Sequence, residues 1–270
     1  MAKLATAHYD LGALDRLASG DSWLHRLDPR AKLVTTFIFI LTVVSFGKYE
    51  IAPLLPFFLY PAVLLALGDL PVGYLARKLL WVAPFALLVG LFNPLLDRQV
   101  LLQLGTLEIS GGWLSLGSIL LRFLLTVSAA LILIASTGLS AVCMALERLG
   151  APRIFALQLL LLYRYLFVLV DEAGRLVRAR ALRTFDGRGG GLRPFGNLIG
   201  QLLLRALDRA QRLHLAMLCR GFTGEIHRLR PLRIGWGEVA FVLGWSALFV
   251  LFRLVPLPRL LGALILEIAA

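Results

Sequence analysis

Cysteine is almost absent from this chain: Cys143 and Cys219 stand alone, with no paired spacing, which excludes a disulfide framework and a cysteine-based zinc site. Histidine is equally sparse. His8, His25, His214 and His227 lie far apart, with no pair one helical turn from another, so no metal centre is expected. The phosphate-cradling pattern GxxxxGK[ST] is missing. The glycine run at 187–191 leads into Leu192 and Arg193 instead of a Lys-Ser/Thr pair, and it reads as a linker. No Gly-x-Ser-x-Gly elbow occurs either. These absences leave no catalytic residue to name and imply no cofactor.

Charge is also scarce, at 16% of the 270 residues, while hydrophobic residues reach 59%. Ordinary soluble chains sit at about 45–50% apolar. A disordered chain needs the opposite balance. Yet the net charge is +12. A soluble nucleic-acid-binding domain would spread its basic surface over a core of normal size, and here the aromatics do not interleave with the arginines as stacking platforms. Nucleic acid is therefore not an expected partner, whereas the lipid bilayer is. The composition points to an all-α, polytopic membrane protein.

Uncharged apolar stretches occupy 33–46, 51–67, 79–96 and 123–146, the last preceded by apolar 113–121, and a further apolar stretch, 234–252, carries Glu238 near one end. Each approaches the ~20 residues that cross a bilayer, which predicts about five transmembrane helices. A polar turn, Gly47, Lys48, Tyr49 and Glu50, makes the first two a helical hairpin. Pro53, Pro56 and Pro61 predict an irregular or kinked second span. The first 32 residues are polar and show no cleavable leader pattern. Arg122 is the one mid-segment charge within the spans and is expected to snorkel or pair. A short apolar tail follows Pro256 and Pro258.

Lys and Arg in the loops set orientation. The N-terminal segment carries Lys3, Arg16, Arg26, Arg30 and Lys32, and the loop after the second span carries Arg77 and Lys78. Both are expected in the cytoplasm of a cell whose inner (plasma) membrane holds the chain. Four spans then return the chain to the same side. Between 137 and 234 lie sixteen arginines, no lysine and six acids, so ten of the twelve net charges belong to that block. The expected organisation is a membrane part at 1–136, a cytoplasmic or interfacial helical block at 137–233, and a last span with its tail at 234–270.

Two helices are expected in the block, from Pro152 to about Thr184 and from about Phe195 to Arg220, with Gly221 as a C-terminal cap. On the second, Leu203, Ala206, Leu207, Ala210, Leu213 and Met217 keep three-to-four spacing, and Gln201, Arg205, Asp208 and Arg212 form a polar stripe. On the first, Asp171 and Glu172 are set to pair with Arg175. Arginine without lysine suits docking to acidic grooves, because a planar guanidinium forms paired hydrogen bonds to carboxylate. Attraction of a solvated face to anionic lipid competes with that reading.

Three strings in order carry a resemblance: 22–33, from Ser-Trp-Leu-His through Asp-Pro-Arg-Ala-Lys-Leu; 163–183, from Tyr-Arg-Tyr through Asp-Glu-Ala to Arg-Ala-Arg-Ala-Leu-Arg; and 204–222, ending Cys-Arg-Gly-Phe. Together they resemble the transmembrane T component of energy-coupling factor transporters, most of all its cobalt-uptake branch, CbiQ. The resemblance implies a non-catalytic scaffold that works with two ATP-binding-cassette ATPases and a substrate-capture membrane subunit of the cobalt-binding type. It also implies two coupling helices ending in Ala-Arg-Gly-like signatures that dock into the ATPases. These fall on Ala179, Arg180 and Ala181, and on Cys219, Arg220 and Gly221. Arg178 and Arg183 flank the first, and Arg205, Asp208 and Arg212 are supporting candidates. Ala181 stands where the pattern has Gly, and Cys219 where it has Ala. The competing reading is an autonomous ion channel or ion-coupled carrier.

Overall fold

A computed structural model of the chain describes residues 15–96, 100–104, 107–183, 192–224 and 235–255. The glycine run at 187–191 and the tail from Pro256 lie outside the described residues. The chain divides into two compact units, one of residues 17–138 with 232–270, the other of residues 1–16 with 139–231.

The first unit opens with a short turn, α1 (Trp23–Arg26), followed by α2 (Pro29–Val44). Asp28 caps α2 by accepting the Arg30 N–H at 2.9 Å, and Pro29 takes the first helical position, where no N–H is needed. The polar turn at 47–50 is closed by Glu50, whose carboxylate accepts the Gly47 N–H. Next comes a 3-10 turn at Ala52–Phe58 that passes directly into α3 (Leu59–Leu67). Pro53 and Pro56 lie in that turn, so the irregular start expected of the second span is a stretch of 3-10 helix.

Gly68 ends α3. A Cβ there would meet the Leu64 carbonyl oxygen at 2.9 Å, and the next residue, Asp69, turns left-handed at φ +48°. Then follow α4 (Val72–Leu96), an antiparallel hairpin of β1 (Val100–Leu104) and β2 (Leu107–Ser110), and α5 (Gly111–Thr137). The hairpin has no counterpart in the expectations from sequence, because strands of five and four residues are too short for the alternation Leu107-Glu108-Ile109-Ser110 to stand out beside the apolar span flanks. The fourth expected span is corrected as well. It does not continue to 146: Gly138, at φ +76°, ends α5 and begins the passage into the other unit.

α9 (Trp236–Leu254) completes this unit, packing on α2, while α5 packs on both α2 and α4. The Glu238 carboxylate reaches back to the Gly235 N–H at 2.8 Å and caps α9. Aromatic rings fill the interior: Phe39 lies 4.6 Å from Tyr60 and 5.3 Å from Phe249, centroid to centroid. Such pairs add about 0.5–1.5 kcal/mol each beyond their burial. The buried Tyr60 hydroxyl is satisfied by Thr36 at 3.0 Å.

The second unit stacks three helices in chain order, α6 (Leu139–Arg148) on α7 (Arg153–Ala181) and α7 on α8 (Leu192–Cys219). Gly150, at φ +111°, reverses the chain after α6, and the Ala151 N–H returns to the Leu146 carbonyl at 3.0 Å. The two long helices run 153–181 and 192–219 rather than to Thr184 and from Phe195.

Among the described residues, four helices are long and apolar enough to cross a membrane: Val72–Asn93, Gly111–Thr137, Arg153–Ala181 and Trp236–Leu254, with Ala52–Leu67 a shorter apolar segment. The chain is thus a multi-pass, helical membrane protein. α7 meets this test although the sequence reading did not count it as a span, and α2, at sixteen residues, falls below it.

Candidate functional site: two arginine-bearing helix ends

α7 keeps its right-handed path to the end. Leu182 caps it at φ −73° and ψ −19°, with its N–H on the Arg178 carbonyl at 3.1 Å. Ala181 is therefore an ordinary helical residue. Nothing at this position requires a positive φ, so alanine fits where the resemblance led us to expect glycine. Arg178 and Arg180 occupy the last turn, where positive charge offsets the negative end of the helix dipole. Arg178 folds back along the helix over Gly174, where a Cβ would sit 3.5 Å from its guanidinium. Arg180 is half-buried, and Ala179, Ala181 and Arg183 are exposed.

α8 ends in another way. Gly221 is left-handed at φ +73°, its N–H donates to Leu218 at 3.0 Å, and the Phe222 N–H donates to Met217 at 3.0 Å. This pair of bonds is the Schellman closure, which calls for glycine at the reversal. Exposed Arg220 is the last residue before the chain turns back, and Cys219, also exposed, is the last of the helix. The first arginine thus sits inside a helix and the second on its cap.

One acid ties the two helices together. Glu172 of α7 accepts from Arg175 Nε at 3.1 Å with one oxygen and from Arg205 of α8 with the other. The pairing with Arg175 follows from helical spacing. The reach to Arg205 does not, because the facing of two helices is invisible in either one alone. The polar stripe on α8 was the available signal, since it needed a partner. Asp208 and Arg212 continue that stripe and are exposed. Glu172→Ala should leave the chain in the membrane yet loosen α8 against α7. Spin labels on the two helices would then show a broadened distance distribution, with Glu172→Asp falling between.

The apolar stripe of α8 is corrected in part. Leu198, Leu202, Ala206, Leu213 and Met217 are half-buried, whereas Leu203 and Leu207 are 58% and 52% exposed. With Phe195 and Ile199 these two leave an uncovered apolar row at four-residue spacing.

Arg122 pairs rather than snorkels, donating to the Gly47 carbonyl. Arg253 of α9 joins it at the same turn, donating to the Ser45 carbonyl at 3.3 Å and lying 4.1 Å from the centroid of Phe46. Among the described residues no cluster of three or more His, Cys, Asp or Glu side chains is placed to hold a metal ion.

A model of the CbiQ family, described as cobalt transport protein, matches residues 20–231 of this chain. Curated relatives span nearly its whole length. The energy-coupling factor transporter transmembrane protein EcfT of Listeria innocua is 28% identical over 239 residues, covering 83% of this chain and 89% of its own. Its counterpart in Streptococcus thermophilus is 29% identical at the same coverage, 83% and 89%. That of Leuconostoc gelidum is 25% identical over 262 residues, covering 89% and 96%.

Proposed function

From the premise that this chain belongs to the cobalt transport protein family, we propose that it is the energy-coupling membrane subunit of an energy-coupling factor importer. It performs no chemistry of its own. Two ATPase subunits hydrolyse ATP, a separate membrane subunit captures the substrate, and this chain joins them.

The observation that carries the reading is the pair of helix ends at Arg180 and Arg220, within the matched region and braced by Glu172. A guanidinium at a helix end makes charge-assisted, paired hydrogen bonds to an acidic groove. A helix held at its tip and braced along its length transmits displacement as a rigid lever. ATPase motion then reaches the membrane helices through α7 and α8. The remaining candidates serve the same end: Arg178 and Arg183 widen the basic tip, while Arg205, Asp208 and Arg212 keep the pair in register.

The arginine-only block between 137 and 234 lies on the cytoplasmic side. α7 has arginine at both ends, with Arg148 just before it, Arg153 as its first residue and Arg178, Arg180 and Arg183 at its close. A crossing would place one of those groups outside, so α7 lies along the cytoplasmic face of the inner membrane. The N-terminus shares that side. The uncovered row of Phe195, Ile199, Leu203 and Leu207 is the apolar surface left for lipid or for the capture subunit.

Cobalt is the cargo favoured by the family's description. The named relatives carry the transporter class in their names and no cargo. The test is co-expression with two ATPase subunits and a capture subunit of an energy-coupling factor importer. A stable complex with ATP-dependent cobalt uptake into vesicles supports the proposal, and nickel competition measures the choice of metal. Flux through the purified chain alone would instead establish a channel or carrier.

A further inference from the structure

One buried amine has no part in the helix ends. Lys32 is 4% exposed, and its Nζ donates to the Ser136 carbonyl at 3.0 Å across 104 residues of sequence. Ser136 belongs to the last turn of α5, whose carbonyls have no partner within their own helix. A lysine at that place satisfies one of them and offsets the negative end of the helix. Asp28, one turn before Lys32 and 5% exposed, supplies the compensating charge. The space beside the amine is about 10 Å³, bordered by Thr36, Tyr60 and Leu64. That volume holds at most one water, so the feature is a fastening and not a ligand site. Two residues beyond Ser136 the chain turns left-handed at Gly138, and there the first unit gives way to the second.

We propose that Lys32 is a positioning residue for transport, pinning the end of α5 so that displacement arriving along the chain at Gly138 moves the membrane helices instead of unwinding α5. The inference rests on the coupling role proposed above. Helix ends ordinarily fray. A pinned end resists, and load applied at a flexible joint passes into the element behind it. The same contact ties the entry of α2 to the exit of α5, so the unit moves as one body at the point of load.

The test uses the full complex in vesicles together with amide hydrogen exchange on the intact chain. In the wild type the amides of Thr137 and Gly138 should be as protected as those in mid-α5, a measurement that requires no variant. Lys32→Met should speed their exchange roughly tenfold or more, the loss expected for a hydrogen bond from a charged donor. ATPases should stay bound and hydrolysis should persist, while transport per ATP falls by a similar factor. Frayed amides in the wild type, or a Lys32→Met complex with the wild-type ratio of transport to hydrolysis, would overturn the proposal. Failure of the wild-type chain to bind ATPases would instead remove the coupling role, and with it the purpose assigned to Lys32, while the exchange result would still report whether the amine pins α5.

Discussion

The double variant Arg180→Glu, Arg220→Glu is expected to reach the membrane at the normal level and to drive no measurable uptake. Neither side chain contributes to the interior of the first unit, so insertion and folding of the membrane helices should proceed. What changes is the sign of charge at both helix tips. Truncating one partner of a desolvated, hydrogen-bonded pair costs about 2–5 kcal/mol of association, or thirtyfold upward in affinity at about 1.4 kcal/mol per tenfold. Reversal adds repulsion from the acidic groove. The ATPases should therefore be lost on purification, and each single variant should retain part of the complex. Immunoblotting of membranes, co-purification and uptake together check the result. Normal uptake by the double variant would remove these two arginines from the coupling role.

Gly221→Val is expected to produce the next largest loss, although it changes no charge. Residue 221 sits at φ +73°, where an L-residue pays roughly 1–2 kcal/mol and a β-branched one is a true outlier. The chain relieves that strain by abandoning the two closing hydrogen bonds from Gly221 and Phe222, which re-aims Arg220. ATPase association should fall by roughly five- to thirtyfold on the energy of that strain alone. Ala181→Gly is the matching control. It puts glycine at a position in plain helical conformation, so its cost is a fraction of that, about 0.5–1 kcal/mol at most. Two substitutions at equivalent places in the two signatures are thus predicted to differ widely, and parallel binding assays would show it.

Much of this was readable in the order of residues. Long apolar stretches, the proline-rich start of the second span, and glycine at 221 each act through local chemistry, so the all-α membrane class, the 3-10 turn and the cap at the end of α8 were within reach. The failures share a different cause. Gly138 falls inside the apolar stretch 123–146, and a run that is apolar on all sides carries no periodicity to reveal a break. The pairing face of α8 was shifted toward Leu203 and Leu207 because hydrophobicity is spread around most of that helix. Arg205 and Lys32 find partners 33 and 104 residues away, and no spacing rule reaches so far. In the sequence Lys32 is only one of the charges that orient the first span.

The different closure of the two helices has a consequence for symmetry. In the proposed complex, a pair of identical motor subunits related by a two-fold axis would present two identical grooves, yet this chain would offer them unlike handles, one arginine inside a helix and one on a reversing cap. Such a complex would therefore have a left and a right. Motor subunits that differ in sequence would each have a preferred seat, and identical ones would be forced into distinguishable positions by the single chain they grip.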